Sequence, residues 1–435
     1  MTIKLSQIWK AKDLRNNLLF ILAIMVLFRL AAHIPIPGVD AEAMTRFFRS
    51  NQVLGMMNIF SGGGMENFSI VMMGVGPYIT SSIIFQLLSM IVPKFEEMQK
   101  EESGRQKINM WTRWLTVPLA ALQAYGMIAI LRQSPARIIN ELSFFDLFST
   151  ITVIVAGTIL LMWLGELISE KKMGNGISLL IFAGIVSGIP NSMRNIYAEF
   201  SASGNIADII IPMALFLIIA IAVIAGVVFI TEAQRNIPVQ YAKQMRGMRA
   251  NGGSVTHLPI RLNMGGVIPI IFAISVIMFP PLIAQFFVTA KTAWISGVAD
   301  QVKTLFDPNG TFYLIAYFVL VFAFTFFYTE VIFHPTQIAE NLQKQGGFIP
   351  GIRPGRHTSE YLAMVTYRVI LAGALFLSII AVLPFILRFI LSSYGSIQSL
   401  TIGGTSLLIV VAVVIETIKQ IDAQLTMREY DAYSK

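Results

Sequence analysis

Ten apolar stretches punctuate this chain of 435 residues, at 17–34, 69–92, 114–131, 147–168, 177–189, 209–230, 265–287, 312–333, 369–391 and 400–418. Most approach the ~20 residues with which an α-helix crosses the hydrocarbon core of a bilayer. A soluble domain has about a quarter of its residues charged. Here 13% are charged, 55% are hydrophobic and the mean hydropathy is +0.69. The sequence therefore predicts an all-α polytopic membrane protein with ten transmembrane helices. The fifth stretch is the shortest, at 13 residues. The first is preceded by Lys4, Lys10, Lys12 and Arg15, as a signal peptide would be, but it ends in HIPIPGVD with no small-residue cleavage pattern. It reads as a retained span.

Lys and Arg in the connections set the orientation, because they accumulate on the cytosolic side. With a cytosolic N-terminus, the cytosolic segments hold 23 of them and the opposite loops 7, with Arg29 and Arg388 inside spans. Both termini are expected in the cytosol. Two cytosolic loops, 231–263 and 334–368, are longer than the about 12–15 residues beyond which a connection usually has a function or is disordered. The first carries Arg235, Lys243, Arg246, Arg249 and Arg261 against one acid, Glu232. Its charge alone fits either the cytosolic bias or a partner-binding surface. The interleaved Ile237, Val239, Tyr241 and Met245 favour a docking surface for a large acidic partner.

The second stretch is broken. Gly62, Gly63 and Gly64 precede it, and Gly74, Gly76 and Pro77 interrupt it. Glycine adds conformational entropy and proline removes a backbone donor, so both oppose a continuous helix. Irregular backbone at membrane depth survives only where it lines a protein or water-filled cavity. The break thus points to a passage through the membrane. The GGGMENF segment reads as a flexible re-entrant piece, with an ordinary exposed turn as the alternative. It lacks the following GK[ST] of a phosphate-binding loop.

After Pro77 come Ile79 and Ile83, and Ile177 and Ile181 open the fifth stretch. Residues four apart share a helix face, and β-branched Ile makes a stiff apolar edge. Such edges meeting in a pore would form a constriction, although Ile pairs on membrane helices more commonly pack or face lipid, and spacing alone does not select a gate. No acid stands in mid-span, since Glu166, Glu232, Glu330 and Glu416 lie at span ends, which weighs against an ion-driven transporter. Arg29 is placed to snorkel toward the nearby interface. Gln86 and Gln123 are polar residues within spans. There is no cysteine, the four histidines His33, His257, His334 and His357 are scattered, and no nucleophile motif occurs. No enzyme activity, metal or cofactor is expected.

The segments GVGPYITSSIIFQLL, GNGISLLIFAGIVSGIP, QRNIPVQYAKQ, THLPIRLNMGGVIPIIFA, NLQKQGGFIPGIRPGRHT and GGTSLLIVVAVVIET resemble the bacterial SecY family, and the resemblance runs in order from the first span to the tenth. Members of that family are the channel subunit of the protein translocase. The resemblance implies two inverted-repeat halves around a central pore, 1–190 and 208–435, opening like a clamshell about a hinge loop at 191–207. It implies a plug helix at about 59–72, with Gly62, Gly63, Gly64, Met65, Glu66, Asn67 and Phe68 at its heart. The pore ring would be Ile79, Ile83, Ile177, Ile181, Ile271 and Ile409, the last two assigned by the resemblance alone.

A lateral gate between the second and seventh spans is implied as well, with Gln86 and Gln123 as its polar contacts. The implied partners are SecE and SecG, the SecA ATPase, the ribosome, signal sequences, unfolded preproteins and membrane lipid. Arg353 and Arg356, with Arg235, Lys243, Arg246 and Arg249, would dock SecA or the ribosome. The implied location is the bacterial plasma membrane. A secondary transporter of a small solute, which also uses broken helices and inverted repeats, is the rival reading. Absent midplane acids and two large basic loops weigh against it.

Overall fold

A computed structural model of the chain describes residues 11–37, 39, 41–50, 58, 61–133, 143–202, 206–241, 245–246, 249–250, 255–288, 292–307, 310–391 and 398–433. The first half contains α1 (Lys12–Ala31), α2 (Ala41–Ser50), α3 (Gly76–Ile91), α4 (Pro93–Lys100), α5 (Glu102–Gln133), α6 (Phe144–Glu170) and α7 (Gly176–Ala202). After α8 (Ile206–Glu232) come four strands, β1 (Gln234–Tyr241), β2 (Met245–Arg246), β3 (Arg249–Ala250) and β4 (Val255–Arg261). Then follow α9 (Ile268–Phe287), α10 (Ala293–Leu305), α11 (Thr311–Ile332), α12 (Pro335–Lys344), β5 (Gly347–Phe348), α13 (Arg356–Leu391) and α14 (Gln398–Tyr433).

A helix stands at every one of the ten expected spans. By length and apolarity, five described helical segments, in α1, α5, α6, α11 and α13, can cross a bilayer. α3 and α4 meet the same measure only when taken together across a bend of 104°, the mark of a broken span or a re-entrant loop, and α7, α8 and α9 contribute shorter apolar stretches. That measure picks out fewer crossings than ten. Prolines are accommodated where they cost least: Pro77 and Pro93 stand in the first turns of α3 and α4, where a missing N–H breaks no helical bond. Pro118, Pro190, Pro280 and Pro281 lie inside helices, which membrane helices tolerate because neighbouring groups re-satisfy the freed carbonyls.

Two expectations about connections change. The helix of the fifth expected span, α7, runs 27 residues, through Pro190 to Ala202, and takes up most of the hinge loop expected at 191–207. Its end, NSMRNIYAEF, is too polar for an apolar count, yet Met, Arg, Ala and Glu are good helix formers. The two long loops, expected as separate docking surfaces, fold together. They build one sheet in the order β4–β1–β5, with β1 and β4 antiparallel from Gln234 opposite Arg261 to Gln240 opposite Val255, and Phe348 of the second loop opposite Gln240.

Ile237 and Val239 on the inner face of this sheet are only 2% and 1% exposed, packed with Ile260, Leu342, Ile349 and Leu362. Of the four apolar residues that suggested a docking surface, Ile237 and Val239 therefore belong to the core of a small cap and Tyr241 packs against it, while the side chain of Met245 lies outside the described residues. Pro238 faces His257 and Pro259 faces Asn236, equivalent register positions at which neither N–H is asked to bridge β1 and β4. Pro259 lies on the edge strand β4, so its missing donor faces outward and blunts that edge against pairing with another strand, while Pro238 lies on the central strand β1 beyond the two positions that pair with β5. Below, the end of the helical body that carries this cap is the sheet side, and the opposite end is the far side.

Candidate functional site

The α6–α7 turn shows how the chain sets one wall of the centre. Asn175 Oδ1 accepts the N–H groups of Ile177 (3.1 Å) and Ser178 (3.2 Å), and Ser169 Oγ accepts that of Gly176 (2.9 Å). These bonds satisfy N–H groups that a helix start leaves orphaned, and they fix the direction in which Ile177 and Ile181 project. At the start of α3, the Ile79 N–H donates to Val75 O (3.0 Å). At the start of α9, the Asn263 amide donates to Gly266 O (3.1 Å), one turn before Ile271. Three helices thus carry isoleucine in or next to their first turns, and α14 supplies Ile409 from its interior.

Ile79, Ile83, Ile181, Ile271 and Ile409 are buried members of one apolar cluster. Ile177 is partly buried and packs against that cluster. It leans toward α6, where a Cβ on Gly165 would come within 2.5 Å of its Cδ1. Helix spacing alone suggested two of these pairs; the structure puts all six residues on a common apolar mass.

Residues 61–75 run as consecutive turns and not as the expected plug helix, and residues 59 and 60 lie outside the described set. Gly62, Gly63, Phe68 and Gly74 all have positive φ, and each interrupts a right-handed helix. The segment is held instead by cross-connections. Ile36 N–H donates to Phe68 O (2.9 Å) and Ile70 N–H to Ile34 O (3.1 Å), clamping it to the chain beyond α1. Asn67 donates to Ala32 O (3.3 Å), and Ser69 Oγ to Gly64 O (3.1 Å). Glu66 is tied to Asn58 by its own N–H (3.0 Å) and by its carboxylate (3.1 Å). Met65, Phe68, Met72 and Met73 fill a second apolar cluster with Met44, Met127, Ile128 and Ile154.

Two close approaches locate the segment. A Cβ on Gly62 would lie 3.0 Å from the Gly184 Cα of α7, and Gly184 is one turn beyond Ile181. Gly157 of α6 lies under the Ile70 carbonyl, so close that a Cβ there would sit 1.9 Å from the oxygen. The turn segment therefore rests on α7, one turn toward the far side of Ile181, and on the neighbouring α6. Arg29 also belongs to this assembly. Its Nη1 donates to the Gly62 carbonyl, so it is a partner of the turn segment and not the snorkelling group the sequence suggested. A basic residue inside the first span was the available signal.

Around this centre, α3 and α5 both stand beside α9, and α9 also packs on α11. Gln86 Nε2 donates to Ser82 Oγ within α3 (3.1 Å), while its buried Oε1 has no partner among the described residues. Gln123 is half-buried in α5. On the cap, Arg235 and Arg353 are exposed, and the Arg353 carbonyl accepts from Thr358 (2.9 Å). Arg356 pairs with Glu360 (2.9 Å). Arg246 and Arg249 lie on β2 and β3, and Lys243 is outside the described residues. Two of the span-end acids are paired, Glu166 with Arg113 (2.7 Å) and Glu232 with Lys419 (3.1 Å).

Known proteins share this sequence pattern and this fold. The family model SecY matches residues 69–418. The SecY translocase subunit of Halalkalibacterium halodurans is 44% identical over 436 residues, covering 99% of each chain. That of Bacillus subtilis is 43% identical over 437 residues, again covering 99% of each. Among solved structures, a protein-conducting channel superposes with a TM-score of 0.61 at 18% identity, over 92% of this chain and 90% of the other. A SecY structure concerned with how the plug stabilises the closed channel gives 0.64 at 18% identity, with the same coverage. Sec61 in a canine ribosome–channel complex gives 0.60 at 17%, also over 92% and 90%.

Proposed function

The chain belongs to the SecY family, and from that premise we propose how its residues divide the work of a translocation channel. The protein is the membrane-embedded channel subunit of a protein translocase, passing unfolded proteins across the membrane and releasing apolar segments into lipid. The solute-transporter reading gains no support from its relatives. In the proposed division, Ile79, Ile83, Ile177, Ile181, Ile271 and Ile409 form the constriction. The turn segment, with Gly62, Gly63, Gly64, Met65, Glu66, Asn67 and Phe68, is the plug. The two inverted-repeat halves part between α3 and α9, where Gln86 and Gln123 contribute polar contacts that an entering signal sequence replaces.

The observation that supports this most directly is the contact between Gly62 and Gly184, which seats the turn segment one turn beyond Ile181 on the same helix. A stiff apolar ring under a removable cover excludes ions at rest, and the same ring closes around an extended chain once the cover leaves. The channel has no energy source of its own and performs no chemistry. It is driven from the cytosol by SecA or the ribosome, which dock on the cap through Arg235, Lys243, Arg246, Arg249, Arg353 and Arg356, and it is joined by the small SecE and SecG subunits. It lies in the bacterial plasma membrane with both termini and the sheet side in the cytosol, as the bias in basic residues requires.

Replacing Ile79, Ile83, Ile181 and Ile271 together by serine tests the ring. Conductance of the reconstituted channel in planar bilayers should rise. Conductance at the level of the unaltered protein would sink the assignment.

A further inference from the structure

The far-side connection between α9 and α11 is built around α10, 13 residues long, about 20 Å and too short to cross a bilayer. Its apolar residues form one broad face, of which the protein uses only half. Ala299 is buried, and Ile295, Val302 and Phe306 are partly covered. Phe306 meets Phe312 of α11 edge to face at 5.3 Å. The adjoining half of the face remains open: Trp294 is 76% exposed, Val298 43% and Leu305 46%. These three are spaced by four and seven residues and so share one strip of the helix. Ser296, Asp300, Lys303 and Thr304 occupy the other side.

The open strip does not stand alone. Phe279, Ile283 and Phe287 form an exposed apolar row on α9, and Phe312, Ile315 and Val319 form another on α11. Both rows belong to spans whose outer faces meet lipid, and α10 packs along α9 at the far-side end. We propose that α10 lies in the lipid–water boundary of the far-side leaflet. Trp294, Val298 and Leu305 sink among the upper acyl chains and Asp300, Lys303 and Thr304 face water. An amphipathic helix with tryptophan on its apolar face suits that boundary. Asp300 and Lys303 cancel in charge, so the attachment rests on apolar burial. Because α10 packs on α9, it moors that helix's far end to one leaflet. The importance of α9 as a gate helix rests on the proposed function; the depth of α10 does not.

The chain has no cysteine, so each introduced cysteine carries a unique spin label. The full chain would be reconstituted in phosphatidylcholine–phosphatidylglycerol vesicles with labels at Val298→Cys, Leu305→Cys, Asp300→Cys and Thr304→Cys, one at a time. Relaxation by oxygen, which partitions into lipid, is compared with relaxation by a water-soluble nickel chelate. The oxygen-to-chelate ratio should be severalfold higher at 298 and 305 than at 300 and 304. Ile315→Cys on the lipid row of α11, labelled in its own preparation, supplies the reference ratio of a lipid-facing site, and translocation by each variant verifies that it is inserted and folded. Chelate access at 298 and 305 equal to that at 300 and 304 would place α10 in water and overturn the proposal. Shielding of 298 and 305 from both reagents would mean that protein covers the strip, and would overturn it equally. Neither result would touch the channel function, which is read from translocation.

Discussion

Gly62 holds a backbone conformation with φ of +69° while the Phe28 ring and Gly184 Cα close over it at 2.7 and 3.0 Å from where a Cβ would be. Gly63, its neighbour, has φ of +80° and nothing within 4 Å of that position. The pair separates two effects that any glycine substitution mixes. A non-glycine residue in the left-handed region costs about 1–3 kcal/mol, and Gly63→Ala should show that term alone. Gly62→Val adds a collision with backbone that cannot move aside. Gly62→Val is therefore expected to displace the turn segment and raise ion leak through reconstituted vesicles well above the level of Gly63→Ala. Equal leak from the two would mean that contact with α7 does not hold the plug. The glycine run marks a break by its composition, but which glycine bears the contact depends on Phe28 and Gly184, far away in sequence. For the same reason Arg29 reads as a snorkelling residue until Gly62 is seen beside it.

Single elements were legible to the degree that their cause is local. Each span is visible because about 20 apolar residues answer to the bilayer and to no particular neighbour. The cap is different. Ile237 and Val239 alternate as strand residues do, yet Leu342, Ile349 and Leu362, which help bury them, lie in another segment beyond two spans, so the alternation suggested an outer partner where the structure shows an inner core. The far half of α7 was missed because helix propensity, not hydropathy, carries it. This separation of core from surface makes a prediction for the cap. Ile237→Ala should cost about 2–5 kcal/mol of local stability, seen as faster protease cleavage within 231–263 and 334–368. Arg353→Glu, on an exposed loop, should leave the cleavage pattern unchanged and slow SecA- or ribosome-dependent translocation. Normal translocation by Arg353→Glu would remove that arginine from the coupling surface.

At the scale of the whole molecule, the two halves are joined at both ends. On the far side the chain passes from α7 to α8, and helix takes up most of the expected hinge. On the sheet side α14 extends past its span and ties to both halves. Lys419 bonds the Thr231 carbonyl (2.8 Å) and pairs with Glu232 of α8. One turn on, Gln424 donates to the Lys172 carbonyl (2.7 Å) in the α6–α7 turn. Lys172 has φ of +55°, a conformation that needs support from its surroundings. The Gln424 amide therefore fastens a strained turn of the first half to the last helix of the second. Such a hydrogen bond contributes about 1 kcal/mol, which corresponds to about fivefold in an equilibrium between two states. Donor and acceptor dyes at Ile91→Cys and Val255→Cys, both exposed and on opposite halves, would report separation by single-molecule energy transfer. Gln424→Ala should raise the ratio of wide to narrow separations about fivefold, with the helix content unchanged. If the distribution stays the same, α14 does not restrain the opening, and resistance to parting must come from contacts along α3 and α9 themselves.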